Sequence, residues 1–251
     1  MAANEQKCLR LCLMLEGTSL LARDWDDIKA TYIVPLLQGV AKAYHQRAEC
    51  AVVVYRTRAG CNSQDIVQHI GWTSDFSRLL AWMENFEPRG GGSMEAAFTE
   101  GLAEAIYLFT RPSRCVGRVH VFSATHATHS LAAPELLSKH LFFVAAGNAH
   151  RQPIPWPVPT ECKSAVRGAV LMSYLCVTLP LQIVPKAATY TDLIASMLPR
   201  GVHLNCIART SADWVRPQFI SLVMAREAQR LGRVRTVSRA CCLVLLAHQM
   251  I

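Results

Sequence analysis

Residues 9–20 read LRLCLMLEGTSL, and this stretch decides the fold. Residues 9–15 form a short apolar run, the length of a strand covered on both faces. The polar turn Glu16-Gly17-Thr18-Ser19 closes it. Beyond the turn, Trp25, Ile28, Tyr32, Leu36, Val40 and Tyr44 recur at helical spacing, which predicts a helix over residues 25–44. Asp24 is the expected N-cap, Asp26 and Asp27 face the positive end of the helix dipole, and Pro35 is expected to kink or split the helix.

The same alternation continues. AVVVY at 51–55 predicts a second buried strand, and 65–70 a short edge strand. Thr73 or Ser74 is expected to cap a helix running through Phe86, which Pro88-Arg89-Gly90-Gly91-Gly92 breaks. Ser93 opens the next helix, where Ala97, Gly101, Ala105 and Leu108 make a face small enough to lie close against a sheet. Arg111-Pro112 ends that helix, and GRVHVFS at 117–123 predicts a third buried strand. Strands alternating with long helices predict an α/β, doubly wound, mostly parallel sheet of Rossmann-like kind, with helices on both faces. Ligands of such sheets sit at the carboxyl ends of the strands.

The second half is less regular. The pattern divides into 8–130 as the first part of the domain, 131–188 as a divergent insertion containing the Pro-rich stretch PIPWPVP at 153–159, 189–231 as the last strand and helix, and 232–251 as a C-terminal extension. Within the third part, a helix from Thr191 through Met197 leads to a strand at 202–207, then a helix over 212–231 interrupted by Pro217. The apolar tail at 240–251 is too short to span a membrane, and no apolar stretch reaches the ~18 to 20 residues a spanning helix needs.

Composition narrows the function. Of 251 residues, 51% are hydrophobic and 18% charged, as in a packed domain. The net charge is +8, densest at Arg226, Arg230, Arg233, Arg235 and Arg239. No Lys/Arg run is interleaved with aromatic residues, so no nucleic-acid platform is expected. The ten cysteines include no CxxC pair, the first residues are not those of a secretory signal, and the thiols are expected to be reduced in the cytosol or nucleus.

Three constellations bear on chemistry. His120, His126 and His129 have no finger or helical ligand spacing. Gly90-Gly91-Gly92-Ser93 lacks the Lys of a phosphate loop and follows a helix rather than a strand. Ser19 or Ser123 with His126 would supply a nucleophile and a base for a small hydrolase, but no GxSxG elbow frames either serine.

The first loop and the order of elements resemble a von Willebrand factor A domain. That family holds a divalent cation at the carboxyl edge with an Asp-x-Ser-x-Ser loop, a Thr from a second loop and an Asp from a third. By that resemblance Glu16 stands at the Asp position, Thr18 at the first hydroxyl, Leu20 at the second, and Ser93 and Ser123 in the other two loops. The third loop, Ser123-Ala124-Thr125, has no carboxylate. Mg²⁺ draws its affinity from an octahedral shell of oxygens, carboxylates above all, so this degenerate cage is expected to hold no metal and the chain no cofactor.

Leu15-Glu16-Gly17-Thr18, Tyr32-Ile33-Val34-Pro35, Gly71-Trp72-Thr73, Trp82 with the glycine triplet, and Glu100-Gly101-Leu102-Ala103-Glu104-Ala105 occur in an order that resembles the Mediator subunit 25 family, most closely its plant form. The likeness covers residues 8–126 and returns loosely at 190–228. It implies a nuclear, non-enzymatic docking domain with protein partners in the Mediator core, and neither nucleic acid nor membrane as a direct partner. The alternatives are a metal-dependent domain of the same fold, gripping a partner carboxylate through Glu16, Thr18 and Ser93, and the Ser/His hydrolase. The family continues into a linker and an activator-binding domain, so a shortened paralogue or an incomplete product is expected.

Overall fold

The structure is a computed structural model and describes residues 8–57, 66–91, 95–113, 137–150, 153–157, 185–209, 235–239 and 242–246. Along the chain come β1 (Cys8–Glu16), α1 (Ser19–Ile28), a π-helical turn (Lys29–Ile33), α2 (Val34–Tyr44), β2 (Ala48–Tyr55), β3 (Val67–Thr73), α3 (Phe76–Asn85), β4 (Glu95–Ala96) and α4 (Phe98–Thr110). There follow β5 (Leu137–Ala145), β6 (Asn148–Ala149), β7 (Ile154–Pro157), β8 (Pro185–Ala188), α5 (Tyr190–Met197), β9 (Val202–Arg209), β10 (Arg235–Arg239) and β11 (Cys242–Leu246).

Seven strands form the main sheet in the order β10-β11-β9-β5-β1-β2-β3. β1 pairs parallel with β2 on one side and β5 on the other, and β9 continues the parallel set beyond β5. The edges are antiparallel: β3 against β2, and the β10–β11 hairpin against β9.

Side-chain alternation along β1 builds two apolar layers. Leu9, Leu11, Leu13 and Leu15 pack with Leu21, Trp25 and Ile28 of α1, Leu37 and Val40 of α2, and Leu79 and Met83 of α3. Cys12 and Met14 point the other way, toward Phe98, Leu102 and Ile106 of α4 and Leu193 and Ile194 of α5. All of these are buried, and each large aliphatic side chain so placed contributes about 1.5–3 kcal/mol of transfer free energy. The doubly wound, mostly parallel α/β class is the observed one.

Several boundaries differ from expectation. The first helix begins at Ser19, a turn and a half before Trp25, because Leu21 extends the apolar stripe backwards. Its N-cap is Thr18 in extended geometry, not Asp24. The expected break at Pro35 takes the form of the π turn: the Val34 N–H reaches Lys29 O, one residue further back than an α-helix allows, just before the proline that has no N–H to give. α3 is capped by Asp75, whose carboxylate accepts the Arg78 N–H at 3.0 Å, not by Thr73 or Ser74. α4 starts at Phe98 rather than Ser93, which lies outside the described residues.

The largest difference concerns the third parallel strand. Residues 117–123 lie outside the described residues. The strand beside β1 is β5, inside the interval 131–188 that the sequence presents as an insertion. Its first residues, Leu137-Ser138-Lys139-His140, are largely polar and hide the apolar half, Leu141–Ala145. The tail holds β10 and β11, while the helix expected over 212–231 lies outside the described residues.

Candidate functional site

The carboxyl ends of β1, β2 and β5 meet where the strand order reverses, the place at which open α/β sheets hold ligands. Glu16 ends β1 there and is fully buried. Its Oε1 accepts the Thr18 hydroxyl at 2.5 Å. Its Oε2 accepts the backbone N–H of Ala146 at 2.7 Å and of Gly147 at 2.9 Å, both in the turn after β5. Three donors therefore converge on one carboxylate.

This donor set does not match a hard cation. Mg²⁺ takes oxygen lone pairs in a near-octahedral shell. Here the Thr18 hydroxyl and the N–H groups of Ala146 and Gly147, in the turn after β5, donate to the one carboxylate at the rim, and the turn presents the positive ends of its N–H groups where a further anionic ligand would be needed. Leu20, at the second hydroxyl position, packs on the apolar layer beneath α1. Among the described residues, no group of three or more His, Cys, Asp or Glu converges. Of the five positions carried by the resemblance, the structure describes Glu16, Thr18 and Leu20 and joins the first two; Ser93 and Ser123 lie outside the described residues, as do His120, His126 and His129. Ser19 is described and exposed.

The turn that carries Glu16 is sutured to its neighbours. The Gly17 N–H donates to Tyr55 O at 2.8 Å, the Arg89 N–H to Gly17 O at 3.1 Å, and the Ser19 N–H to Gly90 O at 2.7 Å. A Cβ on Gly17 would meet Val54 Cγ1 at 2.7 Å, so glycine is required by close approach. Gly90 and Gly91 have φ of +79° and +147°, a conformation that glycine permits in a turn held against the first loop. The second loop is tied in by the Ala97 N–H to Arg56 O at 2.7 Å and by the two-residue β4–β6 ladder. Tyr55 closes the floor, donating its hydroxyl to Val144 O at 3.0 Å. Burial first, then the Glu16 carboxylate and the Cys206 thiol, push its phenol well above the ordinary range.

A second polar cluster lies at the opposite end of β1, and the apolar reading of residues 9–15 passes over it. Arg10 is 1% exposed. Its Nε donates to Glu49 Oε2 at 2.8 Å, and its Nη1 and Nη2 donate to the carbonyls of Arg111 and Pro112 at 2.6 Å each. The guanidinium lies 4.6 Å from the Trp72 ring centroid, and Trp72 Nε1 donates to Leu108 O at 2.8 Å. Ser113 adds a hydroxyl to Glu49 at 2.8 Å. One buried charge thus fixes the end of α4 to β1, β2 and β3. The only sequence signal was a basic residue within an otherwise apolar strand.

A mostly parallel sheet wound on both sides, with Glu-Gly-Thr closing its central strand, defines an α/β domain of the von Willebrand factor A type. The family model of the Mediator complex subunit 25 von Willebrand factor type A domain matches residues 5–154, and the chain belongs to that family. The Mediator of RNA polymerase II transcription subunit 25 of Solanum lycopersicum is 33% identical over 111 residues, 41% of this chain and 14% of that protein. Its counterpart in Arabidopsis thaliana is 28% identical over 154 residues, 58% of this chain and 16% of that protein. The chain therefore spans a small part of the length of the curated relatives it matches. Among solved structures, the pilus adhesin SpaC of Lactobacillus rhamnosus GG in its open conformation overlaps 80% of this chain and 24% of its own, at 8% identity and a TM-score of 0.47.

Proposed function

We propose that this chain is a non-enzymatic docking domain of a Mediator-subunit-25-like coactivator, acting in the nucleus and joining its subunit to the Mediator core during RNA polymerase II transcription. Family membership and the two plant relatives support the Mediator setting. The observation that carries the mechanism is the occupied Glu16 carboxylate. A von Willebrand A domain that grips a partner through a cation needs its carboxylate oxygens turned to the metal, and here three N–H and O–H donors already hold the Glu16 carboxylate, out of about four lone-pair positions. The rim then works by shape and contact, and no catalytic step is assigned to it. No helix among the described residues is long and apolar enough to cross a membrane.

Pulldown of Mediator core subunits by this chain, with and without a chelator, tests the proposal. Enrichment that survives chelation supports it, and failure to enrich any Mediator subunit overturns it. Magnesium titration of the melting temperature tests the rim separately, because a ligand bound only to the folded state raises that temperature. A rise abolished by Glu16→Ala would favour a cation-dependent grip instead. A broad ester-substrate screen gives no turnover on this reading; turnover lost in Ser123→Ala or His126→Ala would restore the hydrolase.

A further inference from the structure

Lys139 stands near the amino end of β5, where the parallel register sets it beside Arg10 of β1 on one side and Val202 of β9 on the other. Alternation puts it on the face of Leu141 and Phe143, which α4 and α5 cover. Arg200 closes the turn between α5 and β9, two residues before Val202. Three cations thus gather at the amino pole of the sheet, the end opposite Glu16.

Two of them are anchored at helix ends. Arg10 donates to Glu49 and to the carbonyls of Arg111 and Pro112, just past α4. Arg200 Nη1 donates to Ser196 O at 3.2 Å and Ser196 Oγ at 3.1 Å in the last turn of α5. Helix carboxyl ends attract cations, which accounts for these two. It does not account for Lys139, which is partly buried and has no acceptor or carboxylate partner among the described residues. Burial first, then the Arg10 and Arg200 guanidiniums, lower its ammonium below the ordinary lysine range.

The charges define the ligand. One carboxylate, Glu49, stands against the three cations, leaving an excess of two positive charges that a single dianion would neutralise. An arginine fork and a lysine point charge are the pair of groups that recognise phosphate oxygens. Arg10 is 1% exposed and acts through its field, while exposed Arg200 keeps its Nη2 and Nε without an acceptor among the described residues.

We propose that Lys139 and Arg200, backed by the charge of buried Arg10, hold a phosphate-class dianion, supplied as free phosphate or as the phosphorylated side chain of a partner protein. The site lies at the far end of the sheet from the Glu16 rim and is independent of the Mediator assignment.

Isothermal titration calorimetry of the whole chain with inorganic phosphate, at constant ionic strength and a mildly alkaline pH that keeps the dianion, tests it. One saturating site is expected. Lys139→Met and Arg200→Met each weaken it at least about tenfold, since each removes a charge-assisted contact. In phosphate-free buffer Lys139→Met melts no lower than the wild type, because it removes a like charge. Absence of saturation, or binding unchanged by both substitutions, overturns the proposal. So does a Lys139→Met chain that melts lower without phosphate, since Lys139 would then support the fold rather than burden it. Duplex DNA, a row of monoanionic diesters, overturns it by binding more tightly than phosphate in a Lys139-dependent way. A phosphoserine peptide that outbinds both inorganic phosphate and its own serine form supports the site and assigns the dianion to a partner. A phosphopeptide no tighter than phosphate supports the site and assigns it to the free ion.

Discussion

Glu16 Oε2 accepts the backbone N–H of Gly147 at 2.9 Å across 131 residues of chain. With the Ala146 N–H beside it, the bond joins the first and third loops through the group that the fold elsewhere gives to a metal. Removing the carboxylate strands three buried donors. Glu16→Ala is expected to cost about 2–4 kcal/mol, since each unsatisfied buried group costs ~1–3 kcal/mol and the loops relax to recover part. Glu16→Gln keeps an acceptor and costs less. Urea denaturation reads both, and Glu16→Ala unfolding at the wild-type midpoint would remove the staple from the account.

Close approach predicts a contrast among three glycines. A Cβ on Gly17 would lie 2.7 Å from Val54 Cγ1, and one on Gly101 would lie 3.0 Å from Tyr55 Cβ, while Gly71 has nothing within 4 Å. Gly17→Ala and Gly101→Ala should each lose about 1–3 kcal/mol through overpacking. Gly71→Ala should be neutral or gain up to ~1 kcal/mol from a less flexible unfolded chain. Thermal melts rank the three, and Gly71→Ala falling below the other two would contradict the packing described for α4.

The Arg10–Glu49 pair is buried on both sides, so its halves should be interdependent. Glu49→Leu leaves an uncompensated cation and is expected to cost about 3–5 kcal/mol, as is Arg10→Met for the carboxylate. The double variant should recover much of the loss. A double-mutant cycle measures the coupling, and simple additivity would show that the two charges do not meet.

Asp75 gives a pH signature. The Ser77 hydroxyl, then the Arg78 N–H, hold its carboxyl below the ordinary carboxylate range. A depressed folded-state value means the contribution is present above the unfolded value and fades as pH falls through the folded one. Asp75→Asn still caps α3 but cannot lose a charge. The wild type should therefore lose stability relative to Asp75→Asn as pH drops below about 4, with a constant difference above it. Parallel melts along a pH series check this, and a constant difference down to the acid limit would rule it out.

What the sequence made legible follows the periodicities. β1 and β2 stand out as short apolar runs buried on both faces, and α3 and α4 because their buried positions recur every three or four residues. β5 does not, because Ser138, Lys139 and His140 precede its apolar half. Three adjacent polar residues, Thr73, Ser74 and Asp75, are all competent caps, and only backbone geometry selects the last. At the rim, Glu16 and Thr18 follow from their place after an apolar strand. Their partners do not, because Ala146 and Gly147 act through backbone N–H groups that carry no side-chain signature. Arg10 was hidden by the leucines around it, and Glu49 by standing just before the apolar run at 51–55.

The central strand also sets a timetable for synthesis. β1 gains its first neighbour once residue 55 has been made, but its second, β5, is complete only at residue 145. At ~5–20 residues per second, the ribosome takes roughly 5–20 s to cover that interval. Throughout it the nascent leucine-rich β1 has one bare flank, the kind of unpaired strand edge that makes a folding chain prone to aggregate.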